Sequence, residues 1–206
     1  MKSLYILSDN CWGGGVYKSL NMEYMSPFVN LHIHPSDYIK LLTNLDDYLN
    51  CKLEEIKHSE SNHCKIYNVK EMPDQFIGKL NDVEIIFHHC TKSVDEVFDD
   101  WYRRKQRLPK NKNEMIAKFG NDISHVYPTE PEKRKKYANY DELIDKFYQL
   151  PHYKKISFTI EKYRYQHNYV IKKIHMNIKV DTTNFYVNNS ILGENHRYYI
   201  RNILEF

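Results

Sequence analysis

Ser8-Asp9-Asn10-Cys11-Trp12-Gly13-Gly14-Gly15 places a carboxylate, an amide, a thiol and a run of glycines directly after the apolar stretch Leu4-Tyr5-Ile6-Leu7. Cys11 beside the backbone N–H groups of Trp12 to Gly15 has the parts of a nucleophile next to an oxyanion or phosphate cradle. Asp9 adds a carboxylate for acid–base work, with Asn10 and Trp12 as candidate substrate contacts. The chain has six glycines in all. Placing Gly13, Gly14 and Gly15 at the end of a first strand marks a ligand loop, as strand ends do in open α/β sheets. The segment is neither a dinucleotide fingerprint nor a P-loop, since Lys18 follows Tyr17 and no Gly-Lys-Ser/Thr occurs. A packed thiol in a tight turn is the competing reading.

Histidines form the second chemical group. On a strand spanning 82–89, Asp82, Glu84, Ile86 and His88 share one face, and Val83, Ile85, Phe87 and His89 the other. His88 is thus a candidate general base toward a hydroxyl or Cys11, with Glu84 along the same side. An ordinary strand-end histidine competes with this, given eleven histidines in the chain. His32 and His34 also share a face and, with Cys11, His88 or Cys90, offer nitrogen and sulfur. No pair has structural-zinc spacing, so no metal is assigned. Arg103, Arg104, Lys105 and Arg107 close one helix; arginine forks suit phosphate or acidic sugars, making Arg103 and Arg104 cofactor-binding candidates. Pairing of Asp99 with Arg103 and Asp100 with Arg104 on a solvated face is the alternative. Tyr24, Phe28, Tyr38 and Trp101 suit sugar faces, with Tyr38 kept as a substrate-binding candidate, although residues at such spacing are more often core and Trp101 lies on the apolar stripe.

These residues need elements to hold them. Val29, Leu31 and Ile33 alternate with polar residues as in a half-buried strand, followed by a helix capped by Ser36 with Tyr38, Leu41, Leu42, Leu45 and Leu49 on one face. Strands are expected at 64–69 and 82–89. A helix over 94–107 carries a Ser93/Glu96 capping box and the stripe Val94, Val97, Phe98, Trp101. Another helix spans 140–150 before a strand at 155–160, while 109–113 and 128–137 read as loops or a charged face. This rhythm predicts an α/β fold with a central, mostly parallel sheet flanked by helices over residues 1–160. Residues 161–206 alternate weakly and read as a small β-rich or mixed extension.

Composition bounds the class. The 206 residues, 41% hydrophobic and 14% aromatic, suffice for one full core. A net charge of +3 with interleaved acids argues against a nucleic-acid binder. The four cysteines lie too far apart for a disulfide scaffold. With no signal peptide or membrane span visible, a cytoplasmic protein is expected.

Taken in order, Ser8-Asp9-Asn10-Cys11-Trp12-Gly13-Gly14, Ser26-Pro27-Phe28-Val29-Asn30-Leu31, Pro35-Ser36-Asp37-Tyr38-Ile39, Ile77-Gly78 with Asp82-Val83-Glu84-Ile85, and Trp101-Tyr102-Arg103-Arg104-Lys105 resemble a bacterial family. It is an exopolysaccharide-biosynthesis-like family of unknown biochemical function, some members of which are labelled acetyltransferases. The resemblance covers roughly residues 3 to 160. Asp9 stands where a second asparagine is expected, Gly15 is an additional glycine, and the tail after 160 has no counterpart. What it implies is a role in surface-polysaccharide biosynthesis, with a carbohydrate or activated sugar as partner. Acyl transfer from acetyl coenzyme A to a sugar hydroxyl is the mechanism placed on top of it. Gly13 to Gly15 would cradle an oxyanion or phosphate, His88 would take the hydroxyl proton, and Arg103 and Arg104 would hold an anion. A glycosyltransferase-like or hydrolytic enzyme and a non-catalytic glycan-binding module remain open alternatives. Oligomeric state is not readable from the sequence.

Overall fold

A computed structural model describes residues 3–67, 75–88, 92–120 and 140–158. Among these the order is β1 (Tyr5–Ser8), α1 (Trp12–Ser19), β2 (Leu31–Ile33), α2 (Pro35–Thr43), α3 (Leu45–Asn50), β3 (Leu53–Ile56), α4 (Asn62–Tyr67), β4 (Phe76–Leu80), β5 (Val83–Phe87), α5 (Val94–Lys105), β6 (Met115–Gly120), α6 (Tyr140–Gln149) and β7 (Lys154–Phe158).

The fold is mixed α/β, and the expected mostly parallel sheet gives way to two sheets. A three-stranded parallel sheet runs β1-β6-β7, and a four-stranded antiparallel sheet runs β2-β5-β4-β3. The physical reason lies in the chain between β4 and β5. Leu80 pairs with Val83 across Asn81-Asp82, and Asn81 takes the left-handed φ of 54° that such a tight hairpin needs. A two-residue turn joins only antiparallel neighbours. The sheets meet at the end of β1, where the Ile33 N–H donates to the Asp9 carbonyl at 2.9 Å.

Beyond its pairing with β6, β1 is tied to the helices by tyrosine hydroxyls. The Tyr17 hydroxyl accepts from the Ile6 N–H at 3.0 Å and donates to the Leu4 carbonyl at 2.8 Å. The Tyr38 hydroxyl donates to the Leu7 carbonyl at 2.8 Å. Buried backbone groups without partners are costly, so the Tyr17 hydroxyl satisfies the Ile6 N–H, and the two tyrosines fix α1 and α2 against β1.

Alternation along the parallel strands divides the interior. Ile6 and Ile116 face α1 through Trp12, Val16 and Tyr17. Leu7, Ala117 and Phe119 belong to the main core with Tyr38, Leu41 and Phe147, which also takes in Leu31, Ile33, Ile85 and Phe87 of the antiparallel sheet. On the other side of that sheet Ile77 and Ile86 pack with Cys64 of α4.

Several expectations are corrected. The presumed glycine loop is the first turns of a helix: Gly13 to Gly15 lie inside α1. Gly13 and Gly14 let α1 pack closely. A Cβ on Gly13 would stand 3.2 Å from Ile6 Cγ2, the Phe28 carbonyl oxygen and Ser8 Cβ, and one on Gly14 would stand 2.9 Å from Asn30 Oδ1. The helix expected after Ser36 is capped by His34, whose Nδ1 accepts from the Ser36 N–H, with Pro35 in its first turn. It breaks at Asn44, whose φ of −125° and ψ of 45° are non-helical, giving α2 and α3. The strand expected at 64–69 is helix α4 as far as Tyr67, because Glu84 caps its start; residues 68 and 69 lie outside the described residues. The loop expected at 109–113 ends in a 3₁₀ turn, Lys112–Glu114, and strand β6 follows it. The loop at 128–137, the extension 161–206, His89 and Cys90 also lie outside the described residues.

Candidate functional site

Asp9 follows β1, and Lys118 on β6 is the partner in register with Ser8. Lys118 Nζ lies 3.2 Å from Asp9 Oδ1, and both side chains are fully shielded from solvent. An ion pair at this depth is costly to desolvate, and removing either partner would strand a buried charge. Beside it, Asn10 Oδ1 accepts from the Ser8 hydroxyl at 3.2 Å and from the Trp12 N–H at 3.0 Å, which caps the start of α1. Cys11 is half-buried, with Sγ 3.8 Å from the Leu31 carbonyl.

Four histidines from three regions of the chain gather next to this pair. His32 lies on β2, His34 caps α2, His63 lies on α4 and His88 follows β5. The ring centroids of His32 and His63 are 5.3 Å apart, those of His32 and His88 6.3 Å, and those of His34 and His63 6.4 Å. Burial drives the His32 imidazole well below the ordinary histidine range, helped by His63, His88, His34 and the Lys118 charge. Burial likewise lowers His63 to about 3, with His34 and His88 adding to it. Both rings are therefore neutral at physiological pH. Among the described residues no group of three His, Cys, Asp or Glu side chains is set to hold a metal ion.

Glu84 is what brings His63 here. Its carboxylate accepts from the Ser61 hydroxyl at 2.6 Å, from the Asn62 N–H at 2.9 Å and from the His63 N–H at 3.1 Å. A carboxylate receiving the first N–H groups of a helix stabilises that end. Glu84 shares the strand face of His88, as the alternation implies, but its oxygens are engaged by α4.

His88 also lines a cleft of about 260 Å³ between α5 and the segment before β2, together with Tyr24, Asn30, Lys92, Trp101 and Arg104. The Ser93/Glu96 capping box is present in full and fixes α5. Asp100 gathers three cations: Lys92 Nζ at 2.9 Å and Arg104 at 2.8 Å on Oδ2, and Arg103 on Oδ1. Although burial pushes the Asp100 carboxyl up, hydrogen bonds from Lys92 and Arg103 and the Arg104 charge hold it at about 2. The Arg104 guanidinium lies 4.9 Å from the centroid of the Tyr24 ring, a cation–π contact.

The residues expected to act together thus separate. Asp9, Asn10 and Cys11 stand at the end of β1, and His88 adjoins them through His32. Arg104 reaches the cleft, whereas Arg103 is exposed on the far side of Asp100 and does not line it. Trp12 and Tyr38 lie in the packed interior, and Gly13 and Gly14 serve close packing. Gly15 has nothing near the position of a Cβ. Lys118, His63 and Lys92 escaped the sequence reading. For Lys118 the signal was a lone lysine inside the apolar run Met115-Ile116-Ala117-Lys118-Phe119. His63 and Lys92 carry no local signal, since neither lies in a recognisable motif.

A family model described as "Domain of unknown function (DUF1919)" matches residues 1–203. An uncharacterized protein of Haemophilus influenzae is 33% identical over 107 residues, which cover 52% of this chain and 45% of that protein. The match therefore takes in less than half of that relative.

Proposed function

The chain belongs to the DUF1919 family of unknown function, and we propose that it transfers an acyl group to a sugar hydroxyl in bacterial surface-polysaccharide biosynthesis. The observation that carries this reading is the position of His88: its imidazole lines a cleft sized for a small substrate and abuts the buried, neutral His32. A histidine at such a junction is suited to general-base work.

In the proposed step a sugar hydroxyl enters the cleft and gives its proton to His88 as its oxygen attacks the acyl carbonyl. The tetrahedral intermediate expels the donor thiolate, which takes the proton back from the His88 imidazolium. The acyl–sulfur bond is replaced by an acyl–oxygen bond, and no redox partner is needed. Transfer is direct in this scheme, since Cys11 is not among the residues lining the cleft. Acetyl coenzyme A is the donor proposed.

A thermal-shift comparison tests donor class, because a ligand that binds the folded state raises its melting temperature by mass action. Acetyl coenzyme A is expected to stabilise the full chain more than nucleotide-sugars do at equal concentration. Stabilisation by nucleotide-sugars alone would replace acyl transfer with glycosyl transfer. A response to oligosaccharide alone would leave a glycan-binding module.

A further inference from the structure

We propose that the cleft beside α5 contains a subsite for the phosphate groups of a phosphorylated ligand, with Arg104 and Lys92 as its binding residues and Asp100 as the internal anion that aligns them. The inference rests on the reading of this cleft as the substrate site and names the chemical class that its inner wall would take.

Charge balance is the first argument. Of the three cations that reach Asp100, Lys92 and Arg104 line the cleft and Arg103 does not; Asp100 lines it too, so this lining group carries one excess positive charge. Lys92 and Arg104 converge on the same oxygen, Asp100 Oδ2, at 2.9 and 2.8 Å, and both line the cleft. Two cations converging on one side of a concave site, with one positive charge in excess of Asp100, favour an anion with several acceptor oxygens over a neutral sugar.

Bracing is the second argument. Arg104 is held by the Tyr24 ring and by Asp100, so its planar guanidinium is set before any ligand arrives. Such preorganisation lowers the entropic cost of binding. Phosphate oxygens suit this set better than a carboxylate, since they offer more acceptors to donors arriving from different directions. The remaining volume, flanked by Tyr24, Pro27, Val29 and Phe87, is left for the organic part of the ligand.

Calorimetric titration of the full chain with inorganic pyrophosphate, at constant ionic strength, tests the subsite. Saturable binding is expected, weakened about tenfold or more in Arg104→Gln and severalfold in Lys92→Gln. Arg103→Gln, which alters an exposed cation outside the cleft, should bind within about twofold of the parent. Arg104→Lys keeps the charge but loses the fork, so a weakened but folded Arg104→Lys separates recognition from misfolding. No saturable binding to the parent chain, or equal losses in Arg103→Gln and Arg104→Gln, would overturn the subsite. His88→Gln should retain pyrophosphate binding. Binding that survives while acyl transfer proves absent would sink only the transfer reading, and transfer indifferent to Arg104 and Lys92 would sink only the subsite.

Discussion

His63 shows how a single buried side chain makes the whole chain sensitive to acid. Its folded-state pKa is held at about 3 by burial and by His34 and His88, against an ordinary value of 6.5. Between those values the unfolded chain takes a proton at this position and the folded chain does not. Stability contributed by keeping His63 neutral is therefore intact above pH 6.5 and lost progressively as pH falls toward 3. His32, shifted in the same direction, adds to the effect. Urea unfolding of His63→Gln across this window is expected to show an acid limb shallower by about 1.4 kcal/mol per pH unit than the parent. An unchanged limb would mean that His63 is protonated at no cost in the fold. At this scale the sequence was only partly informative. Alternation correctly put Glu84 and His88 on one strand face, and it put His32 and His34 near one another. It had no means of bringing His63 to them, because that contact depends on Glu84 capping a helix twenty residues away in the chain. Lys118 was missed for a different reason: its strand begins straight after the polar turn Lys112–Glu114, and the polar flank hid the apolar run.

At the level of elements, α1 explains why three glycines stand together without forming a loop. The helix starts hard against the end of β1 and the Phe28–Asn30 segment, where a methyl group on Gly13 would press on the Phe28 carbonyl and one on Gly14 would displace the Asn30 side chain. Gly15 is exposed and has open space. Gly15→Ala should therefore stabilise the protein by about 0.8–1 kcal/mol through helix propensity alone. Gly13→Ala should destabilise it, since the new Cβ would lie 3.2 Å from the Phe28 carbonyl oxygen, Ser8 Cβ and Ile6 Cγ2 at once. Thermal melts of the two variants moving in the same direction would contradict this division. Helix α5 was the most legible element, because its cap and its apolar stripe are both local signals, and Trp101 is buried as the stripe implies. Helix α4 was the least legible. Its six residues contain no stripe, and its N-terminus is satisfied by a carboxylate from another element rather than from its own sequence.

Across the whole molecule, the two sheets place different chemistry at one junction. The parallel sheet brings the buried Asp9–Lys118 pair to the end of β1, and the antiparallel sheet brings His32 and His88 beside it. Helix α5, through Asp100 and Arg104, and Lys92 just before it then supply the charged wall of the cleft. The α/β class was legible from alternating periodicities. The division into two sheets was not, since it turns on how strands pair, and a two-residue turn at Asn81-Asp82 decides that for β4 and β5. Among the described residues no helix is long and apolar enough to cross a membrane.

The account stands or falls on His88 as the proton acceptor in a transfer reaction. The direct measurement follows radiolabelled acetyl groups from acetyl coenzyme A onto a panel of mono- and oligosaccharides, with the parent chain and His88→Gln compared at equal folded concentration. Label should appear on a sugar with the parent chain, and the rate should fall about 10²- to 10⁴-fold in His88→Gln, the range expected when a general base is lost. Transfer at equal rates in both proteins, or sugar labelling by neither, would contradict it.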